Sequence, residues 1–342
     1  MGVVALDTNT ILLLIGLALA FFMAFNLGSN DAATPTDTAV GARVISIRKA
    51  IILFSIFAAI GAINQGYINI KTISGGIVPK IDIIGAISIS LIAGLWSFFC
   101  SWKGLEISNT YTVIGSVIGY ALIAYGTFRF DTVINIVASW VLSPIISIGM
   151  AYSLHKGMIK LFHNTLNNPR IIRIISCLLI ISLCFSAYSF GVNDVGNATG
   201  VYVAVTQDVF GAPSSTTMLM LAALGALGIA VGGLTLGSRV VETVAFGIVR
   251  LDPLSGLVAE TTNALIVYFF ATIPYMVLGY GLPISSSIVG VGSIIGTGFA
   301  RGHGLIDKKT IGRLVMTWLL TIPSTAILCA VLYFILSQFL RI

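Results

Sequence analysis

Gly191-Val-Asn-Asp-Val-Gly-Asn-Ala198 lies deep in one apolar stretch of the chain, and a shorter twin, Gly28-Ser-Asn-Asp31, lies in another. An ionised aspartate at the centre of a transmembrane helix is costly unless something compensates it. One such aspartate could simply pair with a neighbouring cation or helix. Two of them, each preceded by asparagine and standing at matching places, are hard to treat as filler. The surrounding composition sets their context. Of 342 residues, 57% are hydrophobic and 9% charged, against roughly a quarter charged in an ordinary soluble domain. Runs such as Ile11–Phe25 and Ala326–Phe339 suit a bilayer core of about 30 Å, which takes roughly 20 apolar residues per helix. The expected fold class is an all-α polytopic membrane protein. Disorder, a disulfide scaffold and a nucleic-acid binder are excluded, and the net charge of +6 reads as loop lysine and arginine.

The repeat extends beyond the Asn-Asp pairs. Lys71-Thr72 with Gly76-Ile-Val78 matches Glu242-Thr243 with Gly247-Ile-Val249. Residues 104–119 align without gaps on 281–296, with eight of sixteen positions identical. Trp140 and Trp318 correspond as well. The halves run over 1–160 and 174–342, joined by a polar linker at 161–173 that includes Asn164–Pro169. If the segments bearing Arg43, Arg48, Lys49, Lys156, Lys160, Arg170, Arg173, Arg239, Arg250, Arg301, Lys308, Lys309 and Arg313 are cytoplasmic, 13 of the 18 basic residues lie inside. The positive-inside rule then puts both termini outside. This works only if 83–126 leaves and returns on the outer side and 254–300 on the inner side. Each is therefore expected to be a re-entrant hairpin, in an inverted-topology repeat with broken helices of the kind found in secondary transporters. Irregular backbone at membrane depth must line a cavity or be covered by protein.

The hairpin tips carry Ser108-Asn-Thr110 and Ser285-Ser-Ser287. Serine, threonine and asparagine are favoured N-cap residues. Two helix N-termini facing one another would cradle a tetrahedral oxyanion with their free N–H groups and positive dipole ends. The alternative is two ordinary capped helices. Asp31 and Asp194 suit a hard cation such as Na⁺, with backbone carbonyls freed where Gly28, Pro35, Gly191, Gly196 and Gly200 would let helices break. Gly115-x-x-x-Gly119 and Gly292-x-x-x-Gly296 read as close helix packing.

Other chemistries find little support. Cys100, Cys177, Cys184 and Cys329 form no CxxC pair, so neither a disulfide frame nor a zinc site is indicated. His155, His163 and His303 read as solvated loop histidines. There is no P-loop, no HExxH pair and no nucleophile elbow, so neither a nucleotide site nor an enzyme is expected. No basic n-region precedes Ile11, and the first helix is expected to stay.

These residues resemble those of the inorganic phosphate transporter (PiT) family of sodium- or proton-coupled symporters. Its GxNDxxNA motif is matched fully by Gly191 to Ala198, and its hairpin pattern G-x-P-x-S by Gly281 to Ser285. The resemblance covers nearly the whole chain. It implies a homodimeric inverted-repeat transporter. Phosphate would lie among Asn30, Thr34, Ser108, Asn109, Thr110, Asn193, Asn197, Ser285, Ser286 and Ser287. Na⁺, or alternatively H⁺, would lie at Asp31 and Asp194, with Thr72, Glu242 and Thr243 as further cation residues. No other cofactor is expected.

The sequence departs from the family pattern at several places. Thr34 stands for the second asparagine of the first motif, Glu106 for the hairpin proline, Asn109 for a hydroxyl residue and Lys71 for a glutamate. Lys103 and Glu106 are spaced to pair as i, i+3 neighbours. The function expected is cation-coupled phosphate symport by alternating access. The alternatives are a sulfate or other oxyanion permease of the same fold, and an anion channel.

Overall fold

The computed structural model describes residues 8–162, 168–210, 215–247, 250–302 and 308–340. Thirteen α-helices run through them: α1 Thr8–Asp31, α2 Asp37–Gly41, α3 Ile47–Gln65, α4 Tyr67–Gly75, α5 Ile83–Trp102, α6 Asn109–Ala124, α7 Phe130–Phe162, α8 Pro169–Thr199, α9 Val203–Phe210, α10 Ser215–Gly247, α11 Pro253–Leu278, α12 Ser286–Arg301 and α13 Lys308–Leu340. Eight of these stretches are long and apolar enough to cross a membrane. Many of their large apolar side chains, such as Ile134, Ile181, Leu319 and Phe334, point outward, as a lipid-facing surface requires.

Helix packing pairs the halves. α1 lies along α10 and α8 along α3; α6 lies along α13 and α12 along α7. The motif glycines explain how closely. A Cβ on Gly28 would fall 1.9 Å from Ile229 O, and one on Gly191 would fall 2.0 Å from Ala58 O. Neither position admits a side chain without moving backbone. Gly119 and Gly296 press in the same way on α13 and α7, which is the close packing read from the GxxxG spacing.

Gly28, Gly191 and Gly196 do not break their helices, contrary to expectation, whereas Pro35 and Gly200 do stand at interruptions. α1 is continuous through Gly28 to Asp31, and α8 is continuous through Gly191 and Gly196 to Thr199. The interruptions come just afterwards. Residues 32–36 turn the chain from α1 into α2, and a 3₁₀ turn at Gly200–Tyr202 leads from α8 into α9. Packed between neighbours, a glycine is held helical by tertiary contact rather than by its own preference.

Two helical hairpins stand at the expected places, α5 with α6 and α11 with α12. An aspartate caps the start of each: Asp82 accepts from Gly85 N–H at 2.7 Å and Asp252 from Ser255 N–H at 2.9 Å. The second arms begin at serines, Ser108 accepting from Tyr111 N–H and Ser285 from Ile288 N–H, each at 3.3 Å. Between arms the backbone is irregular at 103–108 and 279–285. Between the halves, α7 runs to Phe162 and α8 starts at Pro169, so both ends of the polar linker are helical.

His155 differs from expectation. It lies inside α7, is buried, and its Nε2 is 3.1 Å from Ser255 Oγ. The apolar face of α7 continues past the polar residues that suggested a loop. His163 and His303 lie outside the described residues.

Candidate functional site

The C-terminal ends of α1 and α8 meet the two hairpin tips in the interior. Asn30 clamps the first tip. Its Nδ2 donates to Ser101 Oγ at 2.9 Å and to Leu105 O at 3.0 Å, and its Oδ1 accepts from Ile107 N–H at 3.0 Å. Asn193 clamps the second in the same way. Its Nδ2 donates to Ile284 O at 2.8 Å and its Oδ1 accepts from Ile284 N–H at 3.4 Å. Ile107 and Ile284 are matched positions of the repeat. Both carboxamides are thus engaged on hairpin backbone. A buried N–H or C=O without a partner costs about 1–3 kcal/mol, and asparagine carries a donor and an acceptor on one short side chain. That explains why this residue type serves as the clamp.

The tips are bonded to each other. Thr110 Oγ1 donates to Ile284 O at 3.1 Å, and Ser287 Oγ donates to Ile107 O at 3.3 Å. Thr110 and Ser287 are also matched positions, so the pair is reciprocal. The starts of α6 and α12 therefore stand tip to tip. A helix start offers N–H groups without intrahelical partners.

The aspartates flank this junction. Asn109 Nδ2 donates to Asp31 Oδ1 at 3.0 Å. Its match Ser286 donates to Asp194 Oδ2 at 3.1 Å. Asn197 Nδ2 donates to Asp194 Oδ1 at 2.9 Å and to Thr110 Oγ1 at 3.1 Å. Thr34, the match of Asn197, lies 3.3 Å from Ser287 Oγ. Asp31 and Asp194 are each 1% exposed, and these partners are hydroxyls and carboxamides. Such neighbours soften the desolvation of a carboxylate without cancelling its charge. Three oxygens around them, Asn109 Oδ1, Asn197 Oδ1 and Glu106 Oε2, are buried without a hydrogen-bond partner.

Ten expected substrate residues and the two aspartates thus gather at one place. The remaining three cation residues do not join them equally. Thr72 is buried and donates to Gly281 O at 2.9 Å, bracing the second tip. Thr243 lines a cavity beside the first tip with Gly104 and Glu106. Glu242 is exposed on α10 and does not enter the centre. Neighbouring helical residues point about 100° apart, so the turn that brings Thr243 to the tip carries Glu242 away. Lys71, before Thr72, is likewise exposed, its Nζ 5.6 Å and 5.7 Å from the rings of Tyr67 and Tyr275.

Lys103 does not pair with Glu106. Its Nζ lies over the rings of Trp102 and Phe99, at 4.8 Å and 5.8 Å. α5 ends at Trp102, so the helical i, i+3 relationship does not apply. Glu106 instead turns inward and accepts from Thr34 Oγ1 at 3.2 Å.

Other contributors were not singled out from the sequence. Asn69 Nδ2 donates to Asn193 O and Oδ1 at 3.0 Å and 3.1 Å, fixing the clamp. Glu260, fully buried on α11, accepts from Thr38, and Asp37 is buried beside the chain turn after α1. Each leaves an oxygen without a partner, as does Asn263. A signal existed for Glu260: it is an acid inside the apolar run of α11.

The sequence matches the phosphate transporter family over residues 27–170 and 160–329. A Haemophilus influenzae protein carrying the name phosphate permease is 28% identical, over 92% of this chain and 94% of its own length. The inorganic phosphate transporter 2-1 of Arabidopsis thaliana chloroplasts is 25% identical, over 95% of this chain and 72% of its own. A solved structure titled as the sodium-dependent phosphate transporter superposes with a TM-score of 0.87 at 26% identity, covering 96% of this chain and 99% of that one. With eight helices among the described residues long and apolar enough to cross a membrane, the protein is a multi-pass membrane protein, and it belongs to the phosphate transporter family.

Proposed function

We propose that this protein imports inorganic phosphate across the cell membrane, coupled to Na⁺, by alternating access. The observation that carries the reading is the reciprocal bonding of Thr110 and Ser287, which brings the starts of α6 and α12 face to face between two buried aspartates. Helix starts and the hydroxyls of Ser108, Thr110, Ser285, Ser286, Ser287 and Thr34 suit a tetrahedral oxyanion. Carboxylates next to orphaned carboxamide oxygens suit a hard cation. Asn109 and Asn197 accordingly belong with the cations, since their N–H₂ groups already serve Asp31 and Asp194 and their free oxygens would repel an anion. Asn30 and Asn193 act as clamps. The orphaned oxygens of Asp37, Glu260 and Asn263 add acceptors for a further cation. The likeness to a sodium-dependent phosphate transporter supports Na⁺ over H⁺.

The same reading makes the halves, 1–160 and 174–342, an inverted repeat with both termini outside and the two hairpins re-entrant, in a homodimer. Coupling requires each ion to bind better when substrate is bound, and the effect is reciprocal. Uptake of labelled phosphate against its gradient in proteoliposomes tests the function. An inward Na⁺ gradient should drive accumulation. Accumulation driven only by a proton gradient would assign H⁺. Flux that never exceeds electrochemical equilibrium would make the protein a channel.

A further inference from the structure

The two tips differ at one decisive position. Residue 106 is glutamate where the matched residue of the second tip is Pro283. Pro283 offers its carbonyl to Trp140 Nε1 at 3.2 Å. Glu106 brings a carboxylate into the centre, with the residue 2% exposed. Thr34 Oγ1 donates to its Oε1, and the same hydroxyl lies 3.3 Å from Ser287 Oγ. Its Oε2 is buried and has no partner. On the other side Glu106 borders a cavity of about 220 Å³ shared with Lys103, Thr243 and Arg313. Lys103 is held over aromatic rings there.

An ionised carboxylate oxygen only accepts hydrogen bonds. Of the other carboxylates in the centre, Asp194 has both oxygens engaged, by Asn197 and by Asn193 and Ser286. Asp31 Oδ1 is engaged by Asn109. Glu106 Oε2 is a buried acceptor on the carboxylate whose Oε1 is bonded to Thr34 Oγ1, itself beside Ser287 Oγ. Among anions, only one that itself carries a hydroxyl can satisfy it. Hydrogenphosphate and dihydrogenphosphate carry one or two, and arsenate behaves alike. Sulfate at neutral pH carries none.

We infer that Glu106 is a specificity-determining residue: its free Oε2 accepts the hydroxyl of a protonated tetrahedral oxyanion on the Thr34–Ser287 side of the centre, and disfavours a fully deprotonated one. This rests on reading the centre as a phosphate site. An unpaired buried charged acceptor costs enough to separate the two anions by about tenfold or more. The acidic groups of the centre, Asp31 and Asp194, contribute repulsion to both anions alike. Lys103 and Arg313 across the cavity attract both alike.

The test is labelled phosphate uptake by the full chain in proteoliposomes, with unlabelled phosphate or sulfate as competitor, for wild type, Glu106→Gln and Glu106→Pro. Glutamine keeps the shape and exchanges one acceptor for a donor. Proline reproduces the second tip. Wild type should prefer phosphate to sulfate by about tenfold or more, and both variants should narrow that ratio to within about threefold. If a variant lacks measurable uptake, the ratio is read instead from thermal stabilisation of purified protein by each anion. An unchanged ratio in both variants overturns the role of Glu106 while leaving the transporter reading intact. A shifted Na⁺ requirement with an unchanged ratio also overturns it, and makes Glu106 a cation residue. Wild type that neither transports nor binds phosphate overturns both readings.

Discussion

Trp140 and Trp318 occupy matching places in the two halves, yet only Trp140 finds a hydrogen-bond acceptor. Its Nε1 donates to Pro283 O at the second tip, whereas Trp318 Nε1 is buried without a partner. The position matched to Pro283 is Glu106. Replacing each tryptophan by phenylalanine isolates this contrast, because both changes remove similar ring area. Trp140→Phe loses a hydrogen bond worth about 0.5–1.5 kcal/mol. Trp318→Phe removes an unsatisfied donor, which offsets its loss of packing. Thermal unfolding in detergent should rank Trp140→Phe clearly below Trp318→Phe. Equal loss in the two would show that the bond contributes nothing.

Asp31→Asn and Asp194→Asn should each abolish Na⁺-driven phosphate uptake while leaving the protein folded. An asparagine preserves shape and part of the hydrogen bonding. It removes the negative charge that a buried cation needs. The membrane potential adds about 2.3 kcal/mol per elementary charge per 100 mV, so any residual phosphate flux that no longer carries one Na⁺ should have its voltage dependence shifted by one charge. Na⁺ titration of uptake measures this directly. Wild-type Na⁺ dependence in both variants would refute the cation assignment.

Much of this arrangement was legible in the sequence because it is written twice. The Asn-Asp pairs and the stretch 104–119 on 281–296 pointed to side chains that the structure brings together. Roles were less legible than positions. Asn30 and an anion-binding asparagine look identical as letters; only the bonds to Leu105 and Ile107 distinguish a clamp. Gly28 and Gly191 read as helix breakers, since glycine's backbone freedom is a local property, while the carbonyls of Ile229 and Ala58 that demand it come from distant sequence. Asp37 and Glu260 escaped notice because neither is repeated in the other half.

Arg129→Cys and Lys309→Cys, each in a background lacking Cys100, Cys177, Cys184 and Cys329, should label from opposite sides of the membrane. Arg129 follows the first hairpin, where its N–H donates to Ile77 O at 2.8 Å; Lys309 lies in the first turn of α13, after the second hairpin. On the positive-inside rule the former should lie outside and the latter inside. An impermeant maleimide applied to intact cells and then to permeabilised cells reads the outcome. Labelling of both from one side would rule out the inverted arrangement and, with it, the re-entrant hairpins.

Asn30 and Asn193 allow a separation of clamp from ligand. If either asparagine chiefly holds substrate, alanine there should weaken phosphate binding and leave the ligand-free protein as stable as before. The hydrogen bonds argue otherwise. Asn30→Ala strands Leu105 O and Ile107 N–H at the first tip, and Asn193→Ala strands Ile284 N–H at the second and leaves Ile284 O to Thr110 alone. Each orphaned buried group costs on the order of 1–3 kcal/mol. Both variants should therefore unfold at lower temperature in the absence of phosphate. Asn30→Asp is the sharper probe. The carboxylate keeps the acceptor for Ile107 N–H but loses both donors, and it sets a charge against Leu105 O, an acceptor with nothing left to accept from. It should be at least as destabilising as alanine despite being nearly isosteric. Thermal unfolding of phosphate-free protein, followed by phosphate titration of whatever remains folded, decides the matter. Unchanged stability with weakened binding would return both asparagines to the substrate.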